Sequence, residues 1–163
     1  MAKVKKDTAE RGRFKELIHA ALYKNADIRE LLLGDTTGMK TSEIIKAFKA
    51  HVKSHLFIDD TIEDTSSFIY YDIILPELKT NTKRCQVMLY AICHRDILDD
   101  YTKDGYPGNR ADILSQFIED ALINDSAINK EFGIGPLNLG SVYIYNSRVM
   151  YGVQMIFEVP NFR

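Results

Sequence analysis

The residues in this sequence best suited to chemistry are His51 and His55, followed closely by Asp59 and Asp60. Two histidines at i and i+4 of a helix point the same way, so with Asp59 or Asp60 as a third ligand they could hold zinc. That would describe a small metal-dependent enzyme. The HExxH pattern is missing, however, because Val52, Lys53 and Ser54 fill the gap and no glutamate follows His51. Histidines near the end of a helix also favour the negative pole of its dipole without any ligand. The motif evidence therefore points away from a bound metal.

Cys93 beside His94, with Asp96 close by, suggests a cysteine nucleophile whose proton the imidazole would draw. Neighbouring strand residues face opposite ways, which separates the thiol from the ring. Cys85, the other cysteine, is eight residues away and on the same strand face, about 26 Å distant if fully extended. That span cannot be bridged by a disulfide, and two free thiols suit a reducing compartment. Two carboxylate pairs, Asp59 with Asp60 and Asp99 with Asp100, flank strand ends where magnesium could bind, but neither brings a visible third ligand. Residues 133–140 (GIGPLNLG) lack both the Gly-Lys-Ser/Thr ending and the following helix of a phosphate loop, and no GxSxG elbow occurs. These absences argue for a chain that is not an enzyme and carries no cofactor.

Tyrosine is the more informative residue class. Tyr70, Tyr71, Tyr90, Tyr143, Tyr145 and Tyr151 fall on expected strands, and tryptophan is absent. Tyrosine brings area and a polar tip to interfaces, so these six are interface candidates. Aromatic pairs that merely stabilise a sheet are the competing explanation.

The elements that must position these residues follow from periodicity. Residues 1–9 read as a flexible charged lead. Phe14, Leu17, Ile18, Ala21 and Leu22 recur at helical spacing to about Lys24, and a short turn carries Ile28, Leu31 and Leu32. Gly34 and Gly38 suit positive φ, and Thr41 or Ser42 caps a further helix running through Phe48 and Val52 to Leu56. The helical part thus occupies residues 10–58. Residues 67–75 form a strand ended by Pro76, a polar turn at 79–84 follows, and 85–93 form its hairpin partner. Asn109 and Asp112 start the clearest helix, with Ile113, Leu114, Phe117, Ile118, Ala121 and Leu122 on its apolar stripe. A glycine-bearing loop leads to a last hairpin, residues 141–145 and 149–157, closed by Pro160. The fold class is α+β: a largely antiparallel four-stranded sheet with helices on one face, in the order α-α-β-β-α-β-β, residues 66–160 supplying the sheet and its long helix.

The 163 residues suit a single domain with its own core. A net charge of -2 argues against a dedicated nucleic-acid binder, and the basic run Lys3, Lys5, Lys6, Arg11, Arg13 and Lys15 reads as a solvated tail and helix face. No apolar run of about 18 residues and no signal-peptide core is present, so a cytosolic product without a membrane partner is expected.

Residues 68–76 (FIYYDIILP), 86–94 (QVMLYAICH) and 108–114 (GNRADIL, opening a helix), followed by the final hairpin, give a layout over residues 10–160 that resembles tail terminator and head–tail joining (neck, connector) proteins of tailed bacteriophages. The resemblance implies a virion protein assembled in the host bacterial cytoplasm. It also implies a homo-oligomeric ring, usually of six subunits, that caps the tail tube protein and docks on the head-side connector protein. DNA would pass through the lumen without specific binding, and Asp59, Asp60, Asp99 and Asp100 could face it, their negative charge keeping DNA from sticking. The helix expected near residues 40–56 departs from compact members of that group. Two other readings stand beside it: the metal-dependent enzyme above, and a monomeric module that recognises a protein through its tyrosine-bearing sheet.

Overall fold

The computed structural model describes residues 7–58, 64–78, 83–132 and 137–159. Along them run α1 (Asp7–Lys24), α2 (Ala26–Leu33), α3 (Thr41–His51), β1 (Val52–Lys53), β2 (Ser67–Leu78), β3 (Lys83–His94), a 3-10 turn (Arg95–Ile97), α4 (Arg110–Ile123), α5 (Ser126–Phe132), β4 (Asn138–Asn146) and β5 (Met150–Glu158). The strands form one sheet in the order β1-β2-β3-β5-β4, parallel between β1 and β2 and antiparallel elsewhere.

The α+β class, the largely antiparallel pairing and both hairpins follow the sequence expectation, but the sheet has a fifth strand, joined in parallel, where four were expected. The extra strand arises where a helix through Leu56 was expected. α3 stops at His51, and Val52 turns extended to pair with Ile69 at 4% exposure. A β-branched residue gains more there from sheet pairing and burial than from another helical turn. α1 begins at Asp7, inside the expected lead, and α5 is an additional helix. Pro76 does not end β2: the strand continues to Leu78 across a register shift between Ile74 and Glu77, where a residue without an N–H leaves no ladder bond unmade. Asn138, Leu139 and Gly140, expected in a loop, belong to β4. The start of the expected lead at 1–6, the turn at 79–82, the glycine-bearing loop at 133–136 and Pro160 lie outside the described residues, as do Asp59 and Asp60. No helix among the described residues is long and apolar enough to cross a membrane.

Alternation in the strands makes the sheet two-sided. Ile69, Tyr71 and Ile73 of β2, Val87, Leu89 and Ala91 of β3, and Val153, Met155 and Phe157 of β5 face one way. They pack with Phe14 and Ile18 of α1, Ile28 and Leu31 of α2, Phe48 of α3, Phe117 and Ile118 of α4, and Ile128 of α5 in one core. Each Val, Leu, Ile, Phe or Met among them contributes about 1.5–3 kcal/mol by leaving water. The opposite face carries a smaller cluster of Phe68, Tyr70, Ile92 and Met150.

Two local features fix this arrangement. Asn109 Oδ1 accepts the Asp112 N–H at 3.0 Å while Asp112 Oδ2 accepts the Asn109 N–H at 2.9 Å, a reciprocal cap that sets where α4 begins. At Gly152 a Cβ would lie 2.0 Å from the Ala91 carbonyl oxygen and 2.7 Å from Ile92 Cα, both backbone atoms of β3. The glycine also leaves room on the open face for Tyr145, its partner on β4, whose ring meets Tyr90 of β3 edge-on at 5.3 Å.

Asn109→Ala should cost about 1 kcal/mol of stability in a urea titration, the usual worth of such a cap. Gly152→Ala should cost about 1–3 kcal/mol, because the β3 backbone must shift to admit one methyl.

Candidate functional site: an open sheet edge

The residues proposed for chemistry are not brought together. His51 closes α3, where its Nδ1 lies 2.9 Å from the Ser67 carbonyl and its ring stacks on Phe68 at 5.3 Å. His55 lies beyond β1, exposed, with its ring against Tyr70 at 5.9 Å. Because the helix ends between them, the i,i+4 geometry that a shared metal needs is lost. Among the described residues no group of three His, Cys, Asp or Glu side chains stands close enough to hold a metal ion. Asp99 and Asp100 are exposed in the turn after the 3-10 segment.

Cys93 and His94 face opposite ways, as expected for strand neighbours. The Ser67 hydroxyl donates to Cys93 Sγ at 3.2 Å, and His94 Nδ1 accepts the Asp96 N–H at 3.1 Å. Burial pushes the Cys93 thiol up to about 11 and the Cys85 thiol up to about 12. A thiol held protonated is a poor nucleophile.

A cleft of about 790 Å³ lies between α2, the loop after it and the start of α4. Two of its charged groups, Arg110 and Glu30, help to hold those elements together. Arg110 donates to Ser67 Oγ at 2.8 Å and to the Leu31 carbonyl at 2.7 Å, and it lies 5.4 Å over the Tyr101 ring. The Tyr101 hydroxyl in turn donates to Glu30 at 3.0 Å. Leu31 lies in the last turn of α2, where carbonyls lack helical partners, so Arg110 satisfies a backbone group and the negative helix end together.

The six tyrosines divide. Tyr70 and Tyr71 are 3% and 2% exposed, so they belong to the interior of the chain itself, and Tyr71 donates its hydroxyl to the Lys15 carbonyl at 3.1 Å. Adjacent residues of β2 are both buried because both faces of that strand are covered. Tyr90, Tyr145 and Tyr151 are half-buried. Tyr143 is 55% exposed, and its β4 neighbours Val142 and Ile144 are 55% and 74% exposed.

That cluster marks the most distinctive surface of the molecule. β4 is an edge strand of nine residues, paired with β5 on one side only. It contains no charge and no proline, the devices that ordinarily keep an edge from pairing with another chain. Sequence reasoning that looks for tyrosine misses Val142 and Ile144; the legible signal is a strand-like segment without a single charged residue.

Thiol reagents at pH 8 should leave native protein unlabelled and modify both cysteines once it is unfolded. The folded-state values lie above those of free thiols, so the reactive thiolate is suppressed until burial is lost.

No curated protein matches the chain. One family does, described as YomW, and the match covers residues 16–159. It takes in everything from the body of α1 to the end of β5, including the open edge. The chain belongs to the YomW family.

Proposed function

We propose that this chain is a non-enzymatic structural subunit that assembles with copies of itself through β4, as part of a ring at the head–tail junction of a tailed bacteriophage. The observation that carries the assembly reading is the uncharged outer edge of β4, with Val142, Tyr143 and Ile144 in solvent. An edge of this kind gains main-chain hydrogen bonds and buries apolar area when another chain lies along it. The phage assignment rests on the resemblance in layout to tail terminator and joining proteins.

The two edges of the sheet support the same reading by contrast. Among the described residues no strand pairs with the outer side of β2 beyond Tyr70, and α1 lies against it. Arg11 Nε donates to the Ile73 carbonyl at 2.7 Å, the Arg11 guanidinium pairs with Asp72, and Lys15 Nζ lies 2.9 Å from the same carboxylate. One edge is closed by charge and the other is bare. In a ring, subunits would meet along the bare edge, and the exposed Asp99 and Asp100 would repel DNA in the lumen.

The test is solution mass by light scattering over a concentration series. A closed oligomer, or a monomer that joins one when tail tubes are added, is expected. Ile144→Lys should abolish that association while shifting the subunit's own stability by no more than about 0.5 kcal/mol, since the side chain lies in solvent. A mass of one subunit at every concentration, indifferent to tubes, overturns the proposal; so does an oligomer unaffected by the lysine.

A further inference from the structure

A second cleft, about 600 Å³, opens between the first half of α1 and the chain that leaves α3 through β1. Lys15 and His19 come from α1, Lys49 from α3, Lys53 from β1 and His55 from the turn beyond, with Glu16 the acidic group among the lining residues. We propose that this groove is a phosphate-binding site that takes the phosphodiester backbone of a nucleic acid. It stands apart from the β4 edge and does not depend on how subunits assemble.

The charge distribution is the first argument. The chain as a whole is at -2, yet three ammonium groups converge here against Glu16 and the neighbouring Asp72. Asp72 is already occupied by Arg11 as well as by Lys15. Lys49 and Lys53 make no ion pair among the described residues. The arginines of α1 do the opposite: Arg11 is committed to Asp72, and Arg13 to Glu10 and Glu131. What remains unneutralised in the groove is lysine, a flexible point charge that meets phosphate without the fixed fork of arginine. Lys15 is held in place, with Nζ 2.8 Å from the Ser54 carbonyl as well as 2.9 Å from Asp72, so two of its three donors are taken and one is left for a ligand.

The second argument is Gly12. It sits inside α1, where alanine would be the better helix former, and a Cβ there would meet nothing within 4 Å. Among the described residues no packing requires a glycine at that place. In the groove it lowers one wall to bare backbone, which lets a bulky chain approach the lysines.

His19 reports on occupancy. It lies 5.4 Å edge-on to Phe48, and both its burial and the nearby Lys49 hold its pKa below the ordinary value. The other titratable groups lining the groove are Lys15 and Glu16 on its own helix, Lys49 of α3, Lys53 of β1 and His55 beyond it, with Tyr71 of β2. A phosphate between these groups offsets the effect of Lys49 and moves the His19 midpoint upward.

The experiment measures anisotropy of a labelled mixed-sequence DNA duplex over a salt series, with inorganic phosphate as a separate probe. Three lysine contacts predict affinity falling about 40-fold between 50 and 200 mM salt. Lys49→Glu with Lys53→Glu should remove binding, and the neutral pair Lys49→Gln with Lys53→Gln should weaken it in the same direction. A charge-matched control, Lys130→Glu with Arg148→Glu, changes exposed positions outside the groove and should bind better than the Lys49/Lys53 glutamate pair. Gly12→Leu should weaken binding without altering any charge, and DNA should raise the His19 midpoint in an NMR titration. The proposal is overturned if DNA does not bind, if the two glutamate pairs act alike, or if inorganic phosphate moves His19 while DNA does not.

Discussion

The pairing of β3 with β5 is the constraint on which the rest of the molecule depends. It joins two hairpins drawn from distant parts of the chain, in unbroken antiparallel register from Gln86 opposite Glu158 to His94 opposite Met150. Without it neither hairpin has a broad enough apolar face to fold alone, since two strands in water are marginal. The close approach at Gly152 belongs to this seam, and the core residues of β3 and β5 lie side by side along it. The helices then have one continuous surface to cover. α4 crosses the seam itself, touching both β3 and β5, while α1 lies against β2.

Covering one face creates a second demand, because helix ends brought over a sheet must satisfy their free backbone groups. Arg110 meets it where α4 begins and α2 ends. Its guanidinium reaches the Leu31 carbonyl and the Ser67 hydroxyl, and that hydroxyl reaches Cys93. A half-buried cation is costly unless hydrogen-bonded, and here its partners come from a helix end and a strand. The same contacts line the cleft between α2 and α4, where they tie three elements together.

What the sequence disclosed is what depends on near neighbours. The cap of α4 was legible because Asn109 and Asp112 are three residues apart, and the apolar stripe behind them repeats at helical spacing. β1 was not legible, since nothing within residues 41–56 announces that Val52 will lie opposite Ile69. α5 was equally hidden: seven residues with Ile128 as their buried anchor give no stripe to read. Tyrosine content says nothing about coverage, and Tyr70 and Tyr71 lie buried within the chain itself. The better signal was the run of apolar residues from Phe68 to Tyr71, which leaves neither face of the strand polar and so belongs to a strand buried on both sides. The groove lysines were invisible for another reason: Lys15, Lys49 and Lys53 converge only after α1 and β1 have packed beside one another.

The contrast between the two sheet edges is the strongest link between fold and function. An open sheet exposes backbone donors and acceptors at both ends, and a protein that must stay single blunts both. This one blunts β2 with a short parallel strand, a helix, two cations on one carboxylate and an exposed proline. The same chain leaves nine residues of β4 without charge and puts three successive apolar side chains in water. Such an edge is an aggregation hazard unless a partner takes it, and a single-sided hazard is a directional one. Growth can occur at β4, while the α1-covered edge gives the next strand no free row of partners. Closing one edge would prevent edge-to-edge stacking without limit, as the proposed finite assembly requires. If a ring is the product, β4 must meet a surface other than the opposite edge of its neighbour, because that edge is already closed.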